Sequence, residues 1–157
     1  SGVQRVLDDI VRKNLKLEHM EPAIESAKRA GLLVHTFWIV GYPGETRAEM
    51  DETIHFAANL GADSYSISIL CPLPGTPIYH KVMKENLWWE EHQGGVKDSL
   101  VTLSTIKVDG FNNRKVFESW VNNKTLYLNG LLKDRDPERF KLHYGKNTGA
   151  RFLRQQT

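Results

Sequence analysis

The chain has 157 residues, 40% hydrophobic and 25% charged, with a formal net charge of +2, proportions near the averages of soluble globular domains. A charge this mild gives no argument for nucleic acid, where a clustered basic face would be needed, and so selects no partner; no apolar run approaches the roughly 18 residues of a membrane helix, so a soluble, cytoplasmic protein with no nucleic acid evident and no membrane partner is expected. The single cysteine, Cys71, excludes an internal disulfide and any cluster held by several thiolates of this chain.

Ser1 and Gly2 stand first, with nothing ahead of them to form a strand or a cap, and the chain reads as cut from something longer. Val3, Val6, Leu7, Ile10 and Val11 recur at helical spacing, and Lys13-Asn14 offers a stop. A second helix is expected from Glu18 to Ala30, with Pro22 tolerated near its first turn, Ile24 and Ala27 inward, and Gly31 as a left-handed cap. The apolar run from Leu33 to Val40 suits a parallel strand covered on both faces. Gly41, Pro43 and Gly44 break it, and Thr46 to Glu49 matches a capping box opening a helix from Arg47 to Leu60, with Met50, Ile54 and Ala57 on one stripe and Gly61 as its cap.

From Asp63 to Leu70 the pattern alternates: Tyr65, Ile67 and Ile69 make one apolar face, while Ser64, Ser66 and Ser68 make the other small and polar. If the apolar face packs on helices, Ser66 and Ser68 look into a wet or ligand-filled interior and become substrate-facing candidates, because buried hydroxyls without hydrogen bonds are costly. The CPLPGTP loop from Cys71 to Pro77 repeats the design of the first loop at a second strand end. A helix from Ile78 to Trp89, a Gly94-Gly95 break, a third strand from Ser99 to Val108 and a helix from Arg114 to about Leu132 follow, with Asp136-Pro137 as a further helix start. This order places an α/β half, residues 1–92, before a strand-plus-helix extension, 93–144, and a flexible polar tail, 145–157. Two or three strands leave sheet edges that missing sequence, a second copy or the carboxy-terminal helices must cover.

Local chemistry leaves several readings open. The six histidines are scattered, so no metal site is expected from them. The GYPGET loop fits a stiff strand-to-helix connection or a ligand site, and lacks the Lys-Ser/Thr ending of a phosphate loop. Glu45 fits contact with a ribose or amino group, or simply a carboxylate favoured by a helix dipole. Cys71 suits a small buried hydrophobe, His35 a satisfied core histidine, and Trp88-Trp89 an anchor for a helix end.

Four motifs in order carry a resemblance: SGVQRVLD at Ser1 to Asp8, Ala30-Gly31, IVGYPGET at Ile39 to Thr46, and PLPGTP at Pro72 to Pro77. Together they resemble the second half of a radical S-adenosylmethionine (radical SAM) domain over roughly residues 1 to 80. The resemblance implies a fragment of a partial, TIM-like (β/α)6 barrel with parallel strands, Ser1-Gly2 ending the fourth strand, Leu33 to Gly41 forming the fifth and Asp63 to Cys71 the sixth. It implies that S-adenosylmethionine lies across their carboxyl ends. Ser1 and Gly2 would lie near its ribose or methionine part, Arg12 near the methionine carboxylate, Ile39 and Gly41 beside the adenine, and Leu70 and Cys71 at the adenine edge, with Glu45 nearby. The family's three-cysteine loop, which holds the 4Fe-4S cluster that cleaves the cofactor reductively, has no counterpart here. The chain alone is therefore expected to be inactive, with the missing amino-terminal half of the same protein and a small-molecule substrate as its partners. The style of the half-barrel is similar to radical SAM proteins with an upstream cobalamin-binding domain, a group including methyltransferases and an anaerobic oxidative cyclase. The competing expectation is a non-catalytic α/β binding or interaction module, self-associating through exposed sheet edges.

Overall fold

The computed structural model describes residues 1–92 and 103–142. The first apolar-periodic segment winds as a π-helix over Val6–Val11 and not as an α-helix, closing at Arg12 in the left-handed region at φ 55°. Spacing alone does not separate the two helices; burial of Val3, Val6 and Leu7 on one side holds in both. A 3-10 turn at Leu17–His19 leads into α1, Met20–Arg29, with Pro22 in its first turn. Gly31, at φ 79°, ends it as expected, its N–H donating to Lys28 O while Leu32 N–H donates to Ala27 O.

β1, His35–Val40, and β2, Ser64–Ile69, form a two-stranded parallel sheet joined through α2, Arg47–Asn59. The register sets His35 beside Ser64, Phe37 beside Ser66 and Ile39 beside Ser68, so these six share one face. The other face, with Trp38, Val40, Tyr65, Ile67 and Ile69, enters one core with Ile24 of α1 and Met50, Ile54 and Ala57 of α2. The expectation of a β1 covered on both faces fails among the described residues. Leu32 and Leu33 lie outside the strand and exposed, Phe37 is 78% exposed, and only alternate residues of β1 are buried. β2 follows its alternation as read.

α3, Pro77–Lys84, is shorter than the helix expected to reach Trp89. Asn86 turns the chain at φ 50°, and Trp88 leaves helical geometry to pair with Ile106. That antiparallel bridge is all that forms of the third strand within the described residues; 99–102 and the tail from 145 lie outside them. Trp88 is buried and donates from Nε1 to Met83 Sδ, the anchoring role read for it.

α4, Arg114–Arg135, runs three residues past its expected end and lies along the outer edge of β2. Its buried Asn129 accepts from Tyr65 N–H at 2.8 Å and donates to Tyr65 C=O at 2.8 Å and Thr125 C=O at 2.9 Å. One side-chain amide thus occupies the place a further strand would take. Beyond α4, residues 137–142 are helical, and Arg139 pairs through Nε and Nη2 with the fully buried Asp63 carboxylate, which also accepts from Val34 N–H at 2.6 Å. The β2 edge and the starts of both strands are therefore tied to the carboxy-terminal helices.

Candidate functional site

The loop leaving β1 is held from within. Gly41 sits at φ 86°, and a Cβ there would come within 3.0 Å of the Phe117 ring, so both backbone and packing require glycine. Glu45 is 1% exposed and folds back: Oε2 accepts from Gly41 N–H at 2.7 Å and Tyr42 N–H at 3.1 Å. Its Oε1 is buried with no partner among the described residues. Burial pushes the Glu45 carboxyl above its ordinary range against those two amides, which pull it down. Burial, and then the nearby Glu45, push the Tyr42 phenol up to about 12.

The capping box is complete. Thr46 Oγ1 accepts from Glu49 N–H, and Glu49 Oε2 accepts from Thr46 N–H at 2.8 Å. Arg5 makes a bidentate pair with Glu49, both bonds at 2.6 Å, and donates to Gly44 C=O at 3.0 Å, tying the loop to the amino-terminal helix. The Arg5 bond is the main reason the Glu49 carboxyl is lowered to about 2. From α3, Lys81 donates to Pro43 C=O at 3.3 Å.

Ser1 Oγ lies 3.2 Å from Thr53 Oγ1 of α2 and accepts from Val3 N–H, while Gly2 N–H donates to Thr53 Oγ1 at 3.0 Å. A Cβ on Gly2 would stand 2.9 Å from Phe56 Cβ, so Gly2 serves close approach to α2. Ser1, Ile39 and Tyr42 line one cleft of about 510 Å³ that runs along the edge of β1 that has no partner strand among the described residues. Arg12 is exposed in a separate cleft of about 410 Å³ with Pro43, Thr76 and Lys81. At the end of β2, Leu70 is buried and gives its N–H to Val40 C=O at 2.9 Å; Cys71 is half-buried, and burial pushes its thiol up. The structure thus brings Ser1 and Ile39 into one cavity, puts Gly2, Gly41 and Glu45 behind it as supports, and sets Arg12 apart.

Ser66 and Ser68 are half-buried on the open sheet face. His35 is exposed and not a core histidine; its Nδ1 lies 2.5 Å from Ser64 Oγ and its Nε2 3.0 Å from Ser66 Oγ. Residues of the site that sequence reasoning passed over are His35 as the partner of the serine row and Tyr42 in the cleft. The sequence signal for Tyr42 was present in the loop itself, a polar-tipped aromatic between Gly41 and Pro43. Among the described residues no three His, Cys, Asp or Glu side chains converge as metal ligands.

No family model matches the chain. Among curated proteins it is 33% identical over 91 residues to the cytidylyl-2-hydroxyethylphosphonate methyltransferase of Streptomyces wedmorensis, covering 54% of this chain and 17% of that protein. It is 33% identical over 87 residues to an uncharacterized methyltransferase of Pyrococcus horikoshii, covering 55% and 19%. To the tRNA-2-methylthio-N(6)-dimethylallyladenosine synthase of Halorhodospira halophila it is 40% identical over 76 residues, covering 44% and 16%. The chain is a relative of radical SAM enzymes. The match takes in about half of this chain and less than a fifth of each of those proteins. The radical SAM resemblance read from the four motifs therefore stands, and the relatives named are transferases of methyl or methylthio groups.

Proposed function

We propose that this chain forms the adenine and ribose side of an S-adenosylmethionine site in a radical SAM methyltransferase or methylthiotransferase, its two strands being part of a partial (β/α)6 barrel. The observation that supports the proposal is the cleft that runs along β1 to its carboxyl end, lined there by Ser1, Ile39 and Tyr42 beside a sheet face left open among the described residues. An apolar wall with a few polar groups suits a heterocycle with a hydroxylated tail, and ligands of parallel α/β folds sit at strand carboxyl ends. Bound there, S-adenosylmethionine supplies the radical chemistry.

The chain's own residues bind and orient. Ile39, 39% exposed, offers an apolar surface to the adenine. Gly41, fixed by Phe117 and by Glu45, sets the path of the loop past it. The open face of Ser66 and Ser68, backed by His35, lines the substrate cavity. The cluster does not fit this chain, which has one cysteine and no converging ligand set among the described residues; its ligands belong to polypeptide outside the chain. In this reading the parent is cytoplasmic, as expected from its composition, and a cobalamin-binding region belongs only to the methyltransferase alternative. No helix among the described residues is long and apolar enough to cross a membrane.

The test is anaerobic reconstitution of the parent protein with iron and sulfide, reduction, and measurement of 5'-deoxyadenosine from S-adenosylmethionine. A protein with a full cluster that forms none would refute the proposal. The isolated chain is expected to be inactive and to bind S-adenosylmethionine weakly, since it holds only part of the contacts; tight binding by calorimetry would show the site misplaced. The second reading, a non-catalytic module, draws on the exposed Phe37 and the edge of β1 that has no partner strand among the described residues. It predicts concentration-dependent association of the chain that Phe37→Ser abolishes.

A further inference from the structure

The segment that leads into α4 grips the strand-to-helix loop at both of its ends. Val108 and Phe111, in the turn before the helix, and Phe117 and Trp120, in its first turns, form two pairs, each spaced by three residues. The first member of each pair meets Gly41, where an added Cβ would stand 3.0 Å from Phe117 Cζ and 3.4 Å from Val108 Cγ2. The second member of each meets Arg47, whose guanidinium carbon lies 4.4 Å from the Phe111 ring centre and 4.7 Å from that of Trp120. Between these contacts Asp109 accepts from Arg47 N–H at 3.0 Å, and Gly110, at φ 74°, comes so close that a Cβ there would stand 2.7 Å from Arg47 Cβ. The rings also pack on one another, Phe111 and Phe117 with centroids 4.8 Å apart and Phe117 stacked on Trp120 at 6.2 Å. Both ends of the loop are therefore fastened to one aromatic block.

Glycine takes φ values of either sign at little cost, so a loop free to pivot at Gly41 would present several shapes to a ligand. Contact with Phe117 and Val108 removes that freedom at one end, and the packing of Arg47 between two rings removes it at the other. We propose that the segment from Val108 to Trp120 is a positioning element for this loop, with Phe117 and Trp120 as its positioning residues. They hold the loop in the shape that receives S-adenosylmethionine, and cofactor affinity depends on them through Gly41 and Arg47. The inference rests on the reading of the loop as the adenine side of that cofactor's site. The radical SAM resemblance covers roughly residues 1 to 80 and gives this segment no part in binding. In this reading the extension beyond the α/β half works on the cofactor site from behind.

The experiment uses the reconstituted parent holoenzyme with S-adenosylmethionine as the probe. It reads Kd by calorimetry, KM and kcat for substrate-free 5'-deoxyadenosine formation, the melting temperature, and hydrogen exchange at the Gly41 and Tyr42 amides. A variant that lowers the share of correctly shaped loop to about a third to a tenth raises Kd by about three- to tenfold. That rise in Kd and KM, with kcat within about twofold of the parent and faster exchange of both amides, is expected for Phe117→Leu and for Trp120→Leu. Trp120→Phe keeps a ring beside Arg47 and is expected to keep the parental Kd. Leu128→Ala, at a fully buried position farther along α4, controls for instability: its melting temperature should fall and its Kd stay unchanged. Should Phe117→Leu fail to fold, the half-buried Trp120 decides alone. A Kd within about twofold of the parent in the leucine variants that fold overturns the proposal. An equal rise in Leu128→Ala also overturns it, because the effect would then be one of general stability. If the parent protein itself neither binds nor cleaves S-adenosylmethionine, the reading of the loop fails and the proposal with it; unchanged affinity confined to the variants overturns the proposal and leaves that reading intact.

Discussion

Replacing Asn129 with leucine isolates what closes the β2 edge. Asn129 is buried, and its amide satisfies both the N–H and the C=O of Tyr65 at 2.8 Å each. Leucine keeps the branching and the number of heavy atoms but carries bulkier methyl groups, so some overpacking adds to the effect, and both Tyr65 groups lose their partner with no water to replace it. Each orphaned buried group costs about 1–3 kcal/mol, and the added apolar burial returns about 1.5–2 kcal/mol. With each group at the middle of its range the net loss is about 2 kcal/mol, a large share of the stability of an ordinary domain, and about 4–8 °C in melting temperature. Urea and thermal unfolding measure it, and hydrogen exchange at the Tyr65 amide localises it, since that proton should lose protection first. Asn129→Asp adds a sign: the carboxylate still accepts from Tyr65 N–H but repels Tyr65 C=O, so this variant should be less stable at pH 7 than at pH 4, where protonation restores a donor. An Asn129→Leu protein within about 0.5 kcal/mol of the parent, with Tyr65 protection unchanged, would refute the reasoning.

Three further outcomes follow from other contacts. Glu49 is lowered to about 2 from 4.5, chiefly by Arg5, so its contribution is present above pH 4.5 and drains away as pH falls toward 2; Glu49→Gln should flatten the pH–stability curve across that window, and an unchanged slope would refute the pairing. Arg139→Met leaves the fully buried Asp63 without its cation. A loss of about 3 kcal/mol is expected in chemical denaturation, partly recovered by adding Asp63→Asn, and non-additivity of the two is the check. Gly41→Ala meets both a φ of 86° and the Phe117 ring at 3.0 Å; a drop of about 2 kcal/mol is expected, and Phe117→Leu in the same chain should relieve part of it.

Legibility in the sequence tracked the distance over which each feature is decided. The capping box at Thr46 to Glu49, the glycine cap at Gly31 and the alternating faces of β2 are local, and each was readable because its partners lie within five residues. Asn129 offered nothing to read: its partner Tyr65 is 64 residues away, and an asparagine in a helix looks the same whether it meets water or a strand edge. Glu45 stood between two roles for the same reason, since a carboxylate in a first turn capping its own loop and one reaching a ligand share one sequence. The third strand failed differently. Its β-branched residues signalled extended backbone, but within the described residues it pairs only around Ile106, opposite Trp88, through the backbone bonds of Thr105 with Trp89 and of Lys107 with Leu87.

The misjudged coverage of β1 is the more instructive departure. Its residues are apolar on both sides, as in a strand packed on both faces, yet His35, Phe37 and Ile39 are exposed and the strand's outer edge has no partner strand among the described residues. β2, by contrast, is sealed on its outer edge by Asn129 and secured at its start by the Asp63 and Arg139 pair. A sheet that closes one edge with dedicated side chains and leaves the other edge and one apolar-and-serine face open is asymmetric in the way expected of a last strand and its inner neighbour. The edge of β2 ends the sheet. The edge of β1 and the face above it carry a sequence suited to being covered, and that mismatch between composition and exposure supports placing the rest of the barrel, and the other half of the cofactor's contacts, on that side.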